Sequence, residues 1–277
     1  MSGTLYVVAT PIGNLEDMTY RAVRILEEAA LVAAEDTRHS RKLLNHYGIK
    51  TPLISYHEHN EESRSSQLID KLKAGESIAL ISDAGTPCIA DPGYRLVSRC
   101  RQEGVMVAAV PGPSAVITAL SISGLPTDAF RFVGFLPAKT HGRCQYLEQI
   151  KDEQQTIVCY EAPHRLVACL EDIARVCGTD RPIAIARELT KRHEELFSGR
   201  VDEALDYFSR SPVKGEIVIL LGAAQERLPE GTVAEALVRL RNETDLSWKD
   251  IVKQVAKEFG VPGSDVYKES LALRSLM

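Results

Sequence analysis

Residues 77–93 constrain this chain more than any other stretch. The apolar run Ser77-Ile78-Ala79-Leu80-Ile81 reads as a buried strand, and it ends directly in Ser82-Asp83-Ala84-Gly85-Thr86-Pro87-Cys88-Ile89-Ala90-Asp91-Pro92-Gly93. Proline fixes φ and glycine permits positive φ, so a loop with two of each has a prescribed shape. It lies past the carboxyl end of a strand, where open α/β sheets bind ligands. A stiff strand-to-helix turn with no ligand is the alternative.

The same alternation runs through the first 125 residues. Strands are expected at 5–9, 31–34, 78–81 and 105–110, with helices at 19–30, 37–47, 60–74, 94–103 and 114–123. Thr19 can cap the first helix, and Gly48, Gly75 and Gly104 stop later ones. This spacing predicts an α/β fold with a mostly parallel, doubly wound sheet. The segment Gly124-Leu125-Pro126-Thr127-Asp128 reads as a connector to a second, mixed α+β domain over 126–225. Its strands are expected at 130–135, 156–160, 182–187, 194–199 and 215–221, with 194–199 beside 215–221. Residues 229–277 read as a small module of two or three short helices.

Totals narrow the class. The 277 residues suffice for two ordinary domains, and 44% hydrophobic with 26% charged residues suits a globular protein. The apolar runs are strand-sized, and the N-terminus has no basic, signal-like region, so a cytoplasmic protein without a membrane span is expected. Six cysteines show no Cys-x-x-Cys pair and no metal spacing, so reduced thiols and no metal are expected. The net charge of −5 argues against indiscriminate nucleic-acid binding but leaves room for a local basic face.

Four Gly/Pro loops each follow an expected strand: Thr10–Leu15, Ser82–Gly93, Pro111–Ala115 and Glu161–Arg165. Three of them belong to one parallel sheet and would line a shared crevice. Gly-x-Gly-x-x-Gly, a P-loop and Gly-x-Ser-x-Gly are all absent, which disfavours a dinucleotide dehydrogenase, a P-loop NTPase and a serine hydrolase. Asp36 closes the second strand, either as a site carboxylate or as the cap of a helix carrying Arg38, His39, Arg41 and Lys42. His164 sits in the cluster Tyr160-Glu161-Ala162-Pro163-His164-Arg165. Glu188 and Lys191 lie in a charge run that is equally readable as a solvated surface.

These segments together resemble one family. Val8–Leu15, Ala34–Arg38, Ser82–Pro87, Pro111–Ala115, Gly134–Lys139, Tyr160-Glu161 with His164-Arg165, and Ala186–Lys191 match, in order, the small-subunit ribosomal RNA methyltransferase I branch of the tetrapyrrole-methylase-like superfamily. The resemblance implies that fold, with an S-adenosylmethionine (AdoMet) cofactor folded into a cleft between two α/β domains. It also implies a homodimer that methylates the ribose 2′-hydroxyl of a cytidine in the decoding region of 16S rRNA. Carried over by motif, Pro11, Gly13, Asp83, Gly85, Thr86, Ile89, Ser114, Ala115, Tyr160, Ala186, Gly215 and Glu216 become expected cofactor contacts. Porphyrinoid-methylating members have a Gly-x-Gly-x-Gly-Asp first loop, whereas Ala9, Pro11 and Gly13 stand here, which favours the RNA branch.

A ribose hydroxyl is a weak acid, so Asp36, Glu188 or His164 is expected as base, with Lys191 or Arg38 stabilising charge. RNA contacts are expected from Arg38, Arg41, Lys42, Lys139, Arg143, Arg165, Lys191 and Arg192. Lys249, Lys253, Lys257 and Lys268, around Trp248, would add to them from a helix-turn-helix-like module, or that module is a structural cap. The rival readings are a porphyrinoid methylase and a non-catalytic AdoMet-binding factor on the ribosome.

Overall fold

A computed structural model describes residues 2–224, 231–244 and 246–274. The chain divides into two compact units, Met1–Ala224 and Gln225–Met277. Among the described residues the first unit carries two five-stranded sheets.

The first sheet is built from β1 (Thr4–Val8), β2 (Leu31–Ala34), β3 (Leu53–Ser55), β4 (Ile78–Ile81) and β5 (Met106–Val110), in the order β3-β2-β4-β1-β5. Every pairing is parallel. Successive side chains point to opposite faces, so β4 sends Ala79 and Ile81 to one side and Ile78 and Leu80 to the other. Helices α1 (Tyr20–Glu28) and α2 (Thr37–His46) cover the first face through Ala22, Ile25, Leu26 and Leu44. Helices α3 (Glu61–Lys73) and α4 (Tyr94–Gln102) cover the second through Leu68, Ile69, Leu72 and Leu96. A sheet buried on both sides explains why its strands read as unbroken apolar runs. Side chains set the helix starts: Thr19 Oγ1 accepts from Ala22 N at 3.1 Å, and Asp36 Oδ1 accepts from Arg38 N at 2.8 Å.

The second sheet comprises β6 (Phe130–Phe135), β7 (Thr156–Glu161), β8 (Pro182–Arg187), β9 (Glu195–Arg200) and β10 (Ile217–Leu221), ordered β6-β7-β10-β8-β9. Alternation again sorts the faces. Ile157, Cys159, Ile183, Ile185, Ile217 and Ile219 pack under α6 (Thr140–Ile150), α7 (Leu166–Cys177) and α8 (Val201–Ser209). Val158, Ala184, Ala186, Val218 and Leu220 face Val116, Ala119 and Leu120 of α5 (Ala115–Ser123), the helix that follows β5. That helix, which leaves the first sheet at β5, therefore packs on the second.

Two expectations need correction, and one strand was not expected. The last strand does not pair with 194–199: β10 inserts between β7 and β8, antiparallel to both, and β9 pairs with β8. Leu53–Ser55 forms an edge strand that its three residues, between Pro52 and Tyr56, did not announce. Arg143, expected at an RNA surface, is 2% exposed. It donates Nε to Asp172 Oδ2 at 2.7 Å and Nη2 to Ala168 O at 3.2 Å, tying α6 to α7.

The second unit has its own small core. Helices α9 (Val233–Glu243), α10 (Trp248–Phe259) and α11 (Gly263–Arg274) gather Leu237, Leu240, Ile251, Val255 and Val266. Thr232 and Glu235 form a reciprocal capping box at the start of α9. Lys249, Lys253 and Lys257 recur every four residues along the exposed face of α10. Arg241 lies 5.8 Å from the Trp248 ring centre, a cation–π distance.

Candidate active site

A cavity of about 400 Å³ opens where the carboxyl ends of the first sheet's strands meet the corresponding edge of the second. The first sheet contributes Ile12 after β1, Glu35 after β2, Asp83 to Thr86 and Ile89 to Asp91 after β4, and Ser114 and Ala115 after β5. The second contributes Phe135, Tyr160 to Pro163, Ala186, Leu189 and Gly215 to Val218. The antiparallel insertion of β10 brings its first residues beside the last residues of β7 and β8, with Ile217 opposite both Glu161 and Arg187.

Loops hold this geometry through cross-links. Thr10 and Gly85 exchange two backbone hydrogen bonds, at 2.9 and 3.0 Å. Thr10 Oγ1 donates to Ser82 O at 3.2 Å, and Thr86 Oγ1 donates to Pro113 O at 3.1 Å. Asp83 Oδ1 accepts from Asp36 N at 3.0 Å, fixing the end of β2 to the loop after β4. Within that loop Cys88 and Ala90 take φ of 71° and 63°, the left-handed region that non-glycine residues seldom enter. Such strain persists only where the surroundings over-determine the chain, and it gathers at functional sites.

Ten of the twelve expected cofactor positions line the cavity: Asp83, Gly85, Thr86, Ile89, Ser114, Ala115, Tyr160, Ala186, Gly215 and Glu216. Pro11 and Gly13 do not, although Ile12 between them does. A Cβ on Gly13 would fall 2.5 Å from Lys191 Cγ, so this glycine lets the first loop close against the second sheet. Gly215, with φ of 93° and a Cβ position 2.3 Å from Glu188 Cγ, lets the turn before β10 close against the turn after β8.

The expected catalytic side chains stand around the cavity rather than in its lining. Asp36 caps α2 and pairs with Arg38 at 3.2 Å; that guanidinium holds its carboxyl below the usual range. Glu188 accepts from Lys191 Nζ at 2.7 Å, which pulls its carboxyl down, while Lys191 also reaches Glu216 at 3.2 Å. Glu188 and Thr190 have φ of 53° and 65°, so this turn is strained too. His164 is exposed on a short 3-10 turn, next in chain to the cavity-lining Pro163.

Of the remaining basic positions, Arg38, Arg41, Lys42, Lys139 and Arg192 are exposed. Arg165 is half-buried, paired with the buried Glu161 at 3.1 Å and donating to Leu136 O at 2.8 Å.

Sequence reasoning passed over Glu35 and Asp91. Burial raises both carboxyls above their ordinary values; Asp91, Asp83 and Glu58 add to the effect at Glu35, and Asp83 at Asp91. The signal was present in Glu35, a carboxylate placed immediately after a fully apolar strand. Among the described residues these carboxylates have no ion-pair partner, and they stand beside apolar Ile12, Ile89, Ala115, Phe135 and Leu189, a lining suited to a cation that carries a flat apolar group.

A model of the tetrapyrrole (corrin/porphyrin) methylases matches residues 4–205. A ribosomal RNA small subunit methyltransferase I from Halalkalibacterium halodurans is 47% identical over 271 residues, covering 96% of this chain and 93% of its own. Proteins of the same name from Synechocystis and Escherichia coli O157:H7 are each 46% identical, covering 99% and 97% of this chain and 99% and 95% of their own. Among solved structures, uroporphyrin-III C-methyltransferase from Thermus thermophilus complexed with S-adenyl homocysteine superimposes with a TM-score of 0.54. It is 21% identical and covers 79% of this chain and 97% of its own. Diphthine synthase gives a TM-score of 0.59 at 13% identity, covering 80% and 90%. The structures share the fold, and the relatives carry the match along nearly the whole length: this chain belongs to the ribosomal RNA small subunit methyltransferase I family, within the tetrapyrrole methylases.

Proposed function

We propose that this chain transfers a methyl group from AdoMet to small-subunit ribosomal RNA, at the 2′-hydroxyl of a cytidine ribose in the decoding region. The observation that carries the reading is the cavity: an acidic, part-apolar pocket at the meeting edge of two sheets, in a chain whose relatives are named as small-subunit ribosomal RNA methyltransferases.

The residues suit AdoMet. Its sulfonium and ammonium groups are cations, and Glu35, Asp83 and Asp91 offer carboxylates with no ion-pair partner among the described residues. Ile12, Ile89, Ala115 and Leu189 offer apolar surface for the adenine, and the loop backbones after β4 and β5 offer polar atoms at its rim. When bound, AdoMet supplies an electrophilic methyl on a good leaving group, so alignment of the hydroxyl provides much of the acceleration. Phe135 and Tyr160 pack with ring centres 5.5 Å apart and help close the second-sheet side against water.

The hydroxyl proton needs an acceptor. Asp36 and Glu188 are engaged by cations that hold them ionised, which weakens them as bases. His164 is the acceptor this reading favours, as an exposed imidazole next in chain to the cavity-lining Pro163. Lys191, kept cationic by Glu188 and Glu216, is suited to favour developing alkoxide charge.

Two copies would pair through exposed apolar side chains such as Met106, Ile117 and Ile122. A reducing, cytoplasmic setting agrees with six free cysteines. No helix among the described residues is long and apolar enough to cross a membrane.

Tritium from methyl-labelled AdoMet tests the reading. Label is expected in the ribose of a single cytidine of small-subunit RNA. Label in a tetrapyrrole, or in nothing, would replace the reading with one of its rivals. In single-turnover reactions, His164→Ala is expected to slow transfer about 100-fold. If His164→Ala, Asp36→Ala, Glu188→Ala and Lys191→Ala all left the rate intact, positioning alone would be the mechanism.

A further inference from the structure

The carboxyl end of β2 divides between two concavities of opposite charge. Glu35 lines the acidic cavity, and Thr37, two residues on, lines an open groove of about 670 Å³. Helix α2 sends Arg38 and Arg41 into this groove, three residues apart and so on one helical face. Leu53–Ser55, the edge strand β3, forms the floor, and Arg64 of α3 closes the far wall. Three guanidinium groups thus converge from two helices across a sheet edge.

Their charge is poorly compensated. Arg38 shares Asp36 but leaves 90% of its own side chain exposed. Arg64 donates Nη1 to the neutral Gln67 Oε1 at 2.9 Å. Arg41 is exposed and, among the described residues, has no ion-pair partner. Nearby, Arg95 is neutralised by Glu61 at 2.8 Å, so open arginines are not the rule on this face. In a chain of net charge −5 they make a local positive site. Guanidinium forks match phosphate oxygens in a planar, two-point geometry.

We infer that this groove holds the phosphodiester backbone of the substrate RNA beside the target nucleotide, an inference that rests on the RNA-methylation reading above. The two concavities then sort one polyanion. Glu35, Asp83 and Asp91 repel phosphate from the acidic cavity, while Arg38, Arg41 and Arg64 draw it to the neighbouring groove. A neutral ribose displaced from the strand enters at Glu35 while its flanking phosphates stay outside. Arg64, which the sequence pattern did not single out, becomes part of the RNA site.

The test uses the full chain, fluorescent protein-free small-subunit RNA and a salt series from 50 to 200 mM. Arg41→Gln and Arg64→Gln are each expected to weaken RNA binding about 3- to 10-fold and to lower the slope of log affinity against log salt by about 1. Arg64→Lys, which keeps the charge, is expected to recover the slope. Lys50→Gln, an exposed cation outside the groove, is expected to change neither quantity. AdoMet binding by calorimetry and thermal melting confirm that each variant is folded. Unchanged RNA affinity and slope in Arg41→Gln and Arg64→Gln would overturn the inference. So would an equal loss in Lys50→Gln, which would make the effect one of net charge. Because this readout is RNA binding, it stands even if the tritium assay finds no transfer; that result would sink the reaction and leave the groove to be judged separately.

Discussion

The two sides of the cavity treat charge in opposite ways. On the first sheet, Glu35 and Asp91 face the cavity with no ion-pair partner among the described residues, and burial pushes their titration upward. On the second, Glu188 is paired with Lys191, Glu195 with Arg187 at 2.6 Å, and Glu161 with Arg165. Behind that sheet even a buried arginine, Arg143, has its carboxylate, Asp172. The paired groups stabilise the fold, whereas the unpaired ones cost stability and are free to meet a ligand. The contrast separates structural from ligand-facing carboxylates in a site where both look alike in sequence.

The largest expected effect lies on the compensated side. Arg143→Ala leaves Asp172 buried beside the largely exposed Arg175 alone, and urea unfolding should show a loss of about 3–5 kcal/mol. A loss under 1 kcal/mol would mean that the pair carries no buried-charge penalty and that the contrast is drawn in the wrong place. Next come Glu35→Gln and Asp91→Asn. Each should weaken AdoMet binding about tenfold by calorimetry, near 1.4 kcal/mol, while melting at the same temperature or higher. A variant that loses stability without losing AdoMet would break the comparison outright.

Acidity offers a sharper test, because the two sides carry opposite signs. Raised carboxyls bind more protons folded than unfolded, so Glu35 and Asp91 erode stability as pH rises from their ordinary values, 4.5 and 3.8, through their higher folded ones. Glu188 and Glu195 are lowered, so their contribution is present above 4.5 and is lost as pH falls through their folded values. AdoMet affinity should climb with pH as Glu35 ionises, and Glu35→Gln should flatten that part of the profile. The smallest effects belong to exposed groups. Asp36→Ala should lower the urea midpoint slightly through its lost cap, and Arg38→Gln should lower it less.

Much of this architecture was legible because its signals are local. Buried strands such as Ile78–Ile81 announce themselves as apolar runs, and Gly/Pro loops after them mark a binding edge. What escaped depends on distant partners. The place of β10 between β7 and β8 is set by pairing across some sixty residues, which no window reveals. Arg143 was misread by residue type, although its spacing to Leu147 and Ile150 puts it on the buried face of α6. Glu35 was passed over for its neighbour Asp36 because alternation decides which of two adjacent carboxylates turns inward, and the phase of β2 is clear only once its partners are known.

The placement of β10 also has a consequence in time. The strand that arrives last in the second sheet occupies its centre, so β7 and β8 each present an open edge until residues 217–221 emerge from synthesis. Long-range closure of this kind is slow, and unpaired edges are where incomplete chains associate. The same strand delivers Gly215 to Val218 to the cavity wall. A nascent chain therefore completes its binding pocket at the step that covers the inner edges of β7 and β8, and ligand binding competence becomes a report that the first unit has finished folding.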